Sequence, residues 1–282
     1  MNYRHGFHAG NFADVLKHAV LARILVHLGR KMPPFRVIDT HAGAGLYDLE
    51  ADAALRTGEW RDGIGRLRAG LHGGDLEEWL APYLAAVAAA DAPGRGRLYP
   101  GSPLIALSLM RSGDRLIACE REPNAARELA ANLRRDRRAR AIEIDGWMGL
   151  NAYVPPKERR GLVVIDPPFE DRDEFARLAA AAAAAWRKWP TGIYLIWYPI
   201  KDRDGPQALA RDLLAAGVTA LLRIEIDVGT RPASTHLGAA GLLLINPPWH
   251  LDDELARFLP ALAAILGTGK GVAARLDRLA EK

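Results

Sequence analysis

Residues 161–175 read GLVVIDPPFEDRDEF: an apolar, β-branched run that stops at a carboxylate, Asp166, followed by Pro167, Pro168 and the aromatic Phe169. A run without polar alternation is what a strand covered on both faces of a parallel sheet looks like. The residues that follow, DEFARLAAAAAAAWRKW at 173–189, carry apolar side chains at helical spacing. The same punctuation recurs at 239–255 in AAGLLLINPPWHLDDEL, with Asn246 where the first copy has Asp166.

Working outward from residue 161, six more β-rich runs come into view: FRVIDT from Phe35, DRLIACE from Asp114, RAIEID from Arg140, GIYLIWY from Gly192, LLRIEID from Leu221 and GLLLIN from Gly241. Helical patterns separate most of them, including PNAARELAANLRRD from Pro123 and GPQALARDLLAAG from Gly205. Strands alternating with helices predict a doubly wound, Rossmann-like α/β fold with a seven-stranded, mostly parallel sheet, its last strands forming an antiparallel edge. On that reading GLLLIN ends at an edge hairpin, and NPPW is a strand-terminating turn.

The whole chain, 1–282, is expected to form one domain. The stretch between the first two strands is far longer than the roughly 30 residues of a simple βαβ unit. It contains GDLEEWLAPYLAAVAAA from Gly74, so residues 46–99 are read as an inserted helical subdomain. Ahead of the first strand lies an N-terminal helical segment that Asn11 is placed to cap, with Val15, Leu16, Ala19, Ile24, Leu25 and Leu28 on its apolar face. Around it crowd Tyr3, Arg4, His5, His8, Lys17 and His18.

With 49% hydrophobic and 26% charged residues the composition is that of a globular chain, not a disordered one. No run is long and apolar enough for a membrane span, and the N-terminus lacks a signal-peptide pattern. The single cysteine, Cys119, has no internal partner for a disulfide and reads as core packing. These features predict a cytoplasmic protein with no membrane association and no metal-ligand cluster, and they leave the oligomeric state open, leaning to a monomer. A net charge of +4, with arginines clustered in RRDRRAR from Arg134 and KERR from Lys157, biases the chain toward a polyanionic partner.

Ligands of open α/β sheets bind beyond the carboxyl ends of the strands. The first strand ends in DTHAGAG (39–45), where Gly43 allows close backbone approach; the motif lacks the third glycine of a dinucleotide fingerprint, since Asp48 occupies its place. The second strand ends at Glu120, suited to accept hydrogen bonds from ribose hydroxyls. The third ends at Asp145 and Gly146, placed to hold an adenine amino group, and the fourth at Asp166. Taken in order, these four strand ends resemble the layout of class I S-adenosylmethionine-dependent methyltransferases that act on exocyclic amines.

Such an amine is a poor nucleophile because its lone pair is delocalised into the ring. Asp166 and the carbonyl of Pro167 can accept hydrogen bonds from its two hydrogens, and Phe169 can stack on the base. Cys119 lies inside a strand rather than in a loop, which argues against a cysteine nucleophile of the kind used at pyrimidine carbons.

YRHGFHAGNFADVLKH (3–18), DTHAGAG, YPGSPLIA (99–106), IDPPF and GIYLIWYPI together resemble the RlmJ-type bacterial methyltransferases, which modify an adenine N6 in 23S ribosomal RNA. The likeness runs from Tyr3 to about Trp249. It implies S-adenosylmethionine as methyl donor, 23S rRNA as partner and a helical insertion after the first strand. It further implies donor contacts from His18, His41, Ser102, Glu120, Asp145 and Gly146, with Asp166 catalytic beside the donor and Tyr3 on the substrate side. From the residues alone, His18 reads as a structural histidine and Ser102 as a helix cap; the resemblance assigns both to the donor. Members commonly carry tyrosine where this chain has Phe169. Tyr3, Arg4, His5 and Lys17 are expected to form an RNA-facing wall, Lys17 neutralising a phosphate. Two other functions compete: a DNA adenine-N6 methyltransferase, and a noncatalytic RNA-binding or ribosome-assembly protein that retains the fold.

Overall fold

The computed structural model describes residues 5–91, 94, 96–229 and 237–281; Tyr3 and Arg4 lie outside the described residues. The strands in chain order are β1 (Arg36–Asp39), β2 (Leu46–Asp48), β3 (Leu98–Pro100), β4 (Arg115–Glu120), β5 (Ala139–Glu143), β6 (Gly161–Ile165), β7 (Ile193–Pro199), β8 (Leu221–Asp227), β9 (Ala239–Ile245) and β10 (Ala273–Ala280). The α-helices are α1 (Phe12–Gly29), α2 (Asp52–Thr57), α3 (Ile64–Gly70), α4 (Asp75–Ala90), α5 (Ser102–Leu109), α6 (Pro123–Leu133), α7 (Gly146–Tyr153), α8 (Glu174–Lys188), α9 (Asp204–Ala215) and α10 (Leu251–Leu266).

Eight strands form the main sheet in the order β10-β8-β9-β7-β6-β1-β4-β5. Neighbours from β5 through β4, β1 and β6 to β7 are parallel, while β9 runs antiparallel to both β7 and β8. Alternate residues of β6 serve opposite faces, as a pleated strand requires. Leu162 and Val164 join the cluster under α1, α4, α5 and α10, and Val163 and Ile165 join the one under α8 and α9. The sheet is thus sandwiched between two helical layers.

Two expectations need correction. The sheet has an eighth strand, β10, paired antiparallel with β8 at the rim. And GLLLIN does not sit at an edge: β9 lies between β7 and β8 with all seven residues buried. Its place is set by pairing on both flanks, with Leu244 opposite Leu195 of β7 on one side and Leu222 of β8 on the other.

α1 starts as expected: Asn11 Oδ1 accepts the Asp14 amide at 2.9 Å. All six residues assigned to its apolar face are buried, and so are Phe12, Val20 and Leu21 on other sides, because α1 lies against α4 and α5 as well as near the sheet. Between β2 and β3 the chain forms α2, α3 and α4, the two ends of this excursion are stitched together by the β2–β3 pair, Tyr47 opposite Tyr99, and α5 then leads to β4.

After β1 the chain passes to β4 and β5 on one side, then returns to β6 on the other. That reversal splays the loops at the carboxyl ends of β1, β4 and β6 apart and opens a crevice.

Candidate active site

The crevice is a cavity of about 640 Å³ whose wall includes His5, Lys17, His18, His41, Gly43, Ser102, Glu120, Asp145, Gly146 and Asp166. Residues far apart in sequence converge there because each ends or begins an element at the same rim of the sheet.

Glu120 closes β4. Its Oε2 accepts the Gly43 amide at 2.8 Å, and its Oε1 accepts the amides of Arg121 and Glu122, each at 2.8 Å. The carboxylate is fixed by backbone donors from two loops. Gly43 adopts φ +61°, and a Cβ there would lie 2.1 Å from the Tyr47 hydroxyl, so the β1 loop can take this path only with glycine.

Asp145 caps α7, its Oδ1 accepting the amides of Trp147 at 3.0 Å and Met148 at 3.3 Å, while Arg121 donates to Oδ2 at 3.4 Å. Gly146 is a packing requirement: a Cβ would fall 2.2 Å from the Thr40 carbonyl and 2.6 Å from His41 Nε2. The His41 ring stands edge-on to Trp147, 5.1 Å between centroids, and its Nδ1 is 2.8 Å from Thr40 Oγ1. Burial holds the His41 imidazole down to about 4, against the pull of Asp166 and Asp145.

Ser102 is not the cap of α5; Gly101 holds that position, and the Ser102 hydroxyl donates to Asp39 Oδ2 at 2.6 Å. Asp39 is buried, which pushes its carboxyl up to about 6 despite the Ser102 bond and nearby Lys17.

α1 supplies the third wall. Lys17 is ion-paired with Asp14 Oδ1 at 2.9 Å and with Asp166 Oδ2. Burial alone would lower its ammonium, but the two carboxylates outweigh it and hold the group well above the usual lysine range. Burial would likewise raise Asp14; Lys17, His5 and His18 reverse that and hold it well below the usual carboxylate range. His5 Nε2 lies 3.0 Å from Asp14 Oδ2. His18 is fully buried, with Nδ1 2.8 Å from the Tyr99 hydroxyl and Nε2 without a hydrogen-bond partner; burial pushes its imidazole down to about 3.

The expectation for Lys17 is corrected here: with its side chain 5% exposed between two carboxylates, it does not present a charge to an RNA phosphate. Phe169 adopts φ +51°, and its partly exposed ring packs on Phe175 at 4.8 Å and Trp197 at 5.7 Å, while Pro168 lines the cavity. Cys119 is fully buried, with its thiol pushed up to about 12 by burial, and packs so closely on Gly149 that a Cβ there would meet Sγ at 2.6 Å.

Asn246 lies at the other rim. Its Nδ2 donates to the carbonyls of Pro190 at 2.8 Å and Gly192 at 2.7 Å, just before β7 begins. Because β9 runs antiparallel, its carboxyl end faces away from the crevice. Asp14, Trp147, Glu174 and Arg177 were not anticipated. Asp14 had a signal, standing three residues before Lys17 on one helix face; the others had none without the fold.

Among the described residues no group of three or more His, Cys, Asp or Glu is arranged to hold a metal, and no helix is long and apolar enough to cross a membrane.

The strand order, with acidic side chains and a glycine turn at successive strand ends, defines a class I methyltransferase, with S-adenosylmethionine as methyl donor. The family described as "Ribosomal RNA large subunit methyltransferase D, RlmJ" matches residues 32–277, and the chain belongs to it. It is 40% identical to "Ribosomal RNA large subunit methyltransferase J" of Escherichia coli K12 over 272 residues, covering 95% of this chain and 96% of that protein. The protein of the same name from Haemophilus influenzae is 40% identical over 275 residues, with the same coverage. A crystal structure of a Legionella pneumophila protein superposes with a TM-score of 0.86 at 30% identity, covering 96% of this chain and 98% of that one.

Proposed function

We propose that this enzyme methylates the exocyclic N6 of an adenine in large-subunit ribosomal RNA, with Asp166 as the catalytic residue. The observation that carries this reading is the convergence of Glu120, Asp145 and Asp166 on one cavity, Asp166 being held by a buried ammonium. The relatives' names supply ribosomal RNA of the large subunit as substrate.

The cavity fits the donor. Glu120 presents a carboxylate fixed by three amides, Gly43 lines the cavity without a side chain, and the buried Nε2 of His18 has no hydrogen bond. Glu120 would hold the ribose hydroxyls, and Asp145 with Gly146 the adenine. His18, His41 and Ser102 would hold the amino-acid end. Bound there, S-adenosylmethionine supplies an electrophilic methyl on a sulfonium.

The rest is the work of side chains. Asp166 accepts a hydrogen bond from the target amine, and the Pro167 carbonyl, with no competing amide donor, accepts the other. Both bonds draw the nitrogen lone pair out of conjugation and aim it. Lys17 fixes the position of Asp166 through their ion pair and stays charged. After transfer the nitrogen releases a proton toward Asp166 Oδ1 or solvent. His5, next to Asp14, lies on the substrate side, and Tyr3 and Arg4 complete that wall in this reading. The helical excursion at 46–99 borders it as an inserted subdomain. Cytoplasmic location and monomeric action accompany the proposal.

Labelled methyl transfer to protein-free large-subunit rRNA, duplex DNA and assembled subunits tests it. N6-methyladenine in rRNA is the expected product; methylation of duplex DNA alone, or none on any substrate with an intact donor site, would overturn it.

A further inference from the structure

Glu174 is the first residue of α8 and lines the cavity, yet it is only 3% exposed. Its Oε1 has no hydrogen-bond partner, and its carboxyl makes no ion pair among the described residues. An acidic side chain at a helix N-terminus ordinarily turns to solvent or to the helix's own amides. A buried, unsatisfied carboxyl costs stability, so its retention on a cavity wall points to a ligand.

The surroundings say which ligand. Asp145, Asp171 and Glu170 act on Glu174 and raise its carboxyl above the usual range, after burial, which is the leading cause, with Arg177 opposing. Arg177, one turn along the same helix, brings its guanidinium 4.0 Å from Asp145 Oδ1, which sets Glu174 on the Asp145 flank of the cavity. On this flank the Arg177 guanidinium lies over the Trp147 ring, 5.1 Å from its centroid, and both residues line the cavity. An indole and a guanidinium plane make a surface on which a purine can stack. Asp145 has one oxygen committed to two amides and the other in a single 3.4 Å contact with Arg121, so Glu174 adds a second acceptor for a purine edge on the same flank.

We propose that Glu174 is a specificity residue of the donor pocket, accepting a hydrogen bond from the exocyclic amino group of the donor's adenine stacked beside Trp147 and Arg177. The proposal rests on the donor-pocket reading above and assigns to Glu174 the discrimination between an adenosyl and an inosyl ligand. A purine with a carbonyl at C6 meets a carboxyl oxygen there with no hydrogen to share.

The test uses the intact protein, with S-adenosylhomocysteine and S-inosylhomocysteine as probes, read by calorimetry and thermal unfolding. Wild type should bind the adenosyl probe about 10- to 100-fold more tightly than the inosyl probe, the scale of one hydrogen bond to a charged or buried group. Glu174→Leu should lose adenosyl affinity by a similar factor while unfolding at a higher temperature without ligand, since an unsatisfied carboxyl is gone. Glu174→Gln should keep adenosyl binding and gain inosyl binding, because an amide can turn its N–H toward the carbonyl. Equal losses for both probes, or unchanged binding of both, would overturn the proposal, as would a rise in the RNA KM alone, which would put Glu174 beside the target base. Failure of wild type to bind S-adenosylhomocysteine would instead overturn the donor-pocket reading itself, whatever the Glu174 variants do.

Discussion

The ammonium of Lys17, in α1, is ion-paired with the carboxylate of Asp166 at the end of β6, 149 residues along the chain. This contact ties the N-terminal helix to the motif that ends the central strand, and Asp14 secures it from behind at 2.9 Å.

Removing the ammonium should therefore damage both stability and turnover. Lys17→Met strands two largely buried carboxylates, at a cost of about 3–5 kcal/mol in unfolding free energy, read by urea denaturation. Turnover per folded molecule should fall by about 100-fold or more, the scale for losing a fixed electrostatic partner at a reacting group. Asp166→Ala should lose as much activity yet still bind S-adenosylhomocysteine. Collapse of that binding in folded Asp166→Ala would show the residue to be a donor ligand only.

Glu120→Ala removes an acceptor shared by the amides of Gly43, Arg121 and Glu122. Affinity for S-adenosylhomocysteine should drop by about 10- to 100-fold. Calorimetry giving an unchanged dissociation constant would take Glu120 out of the ribose site.

Asn246→Ala should separate the two proline motifs. The wild-type amide satisfies the carbonyls of Pro190 and Gly192 from a left-handed backbone, φ +54°. Losing those bonds should cost about 1–3 kcal/mol of stability and leave turnover per folded molecule intact. A catalytic loss like that of Asp166→Ala, at equal folded fraction, would contradict placing NPPW at the far rim.

His18 should make the protein acid-sensitive. Its imidazole takes up a proton below its ordinary 6.5 in the unfolded chain but only near 3 in the folded one. As pH falls between these values the unfolded state binds more protons, so stability drops by about 1.4 kcal/mol per pH unit from this group. Asp39 works the other way, since its folded carboxyl protonates near 6. His18→Gln retains the Asp39 contribution, so the stability gap between wild type and variant should narrow from pH 6 to pH 4. A gap that does not move with pH in urea titrations would mean that His18 is charged in the fold.

Apolar runs were enough to lay out β1, β4, β6, β7, β8 and β9, because a strand covered on both faces has little room for polar residues; β5, with no buried residue, showed only as the short β-rich run RAIEID. β10 was illegible: AARLDRLA is a rim strand with half-exposed positions, and only pairing with β8 makes it a strand. The rank of β9 inside the sheet was also hidden, since strand order is set by long-range pairing rather than by local pattern.

At the site, the sequence by itself determined which chemistry ends each strand: Gly43, Glu120, Asp145 and Asp166 follow apolar runs in a fixed order. Tertiary structure alone decided how those groups are used. It put Lys17 between Asp14 and Asp166 rather than toward solvent, packed Phe169 on Phe175 and Trp197, and buried Glu174 on the cavity wall with no hydrogen bond to its Oε1. The physical reason is that a charge has no fixed role until its neighbours are fixed: a lysine on a helix is a phosphate ligand in water and a structural cation between buried carboxylates. Only the packing of α1 and α8 against the carboxyl rim of the sheet selects between such states.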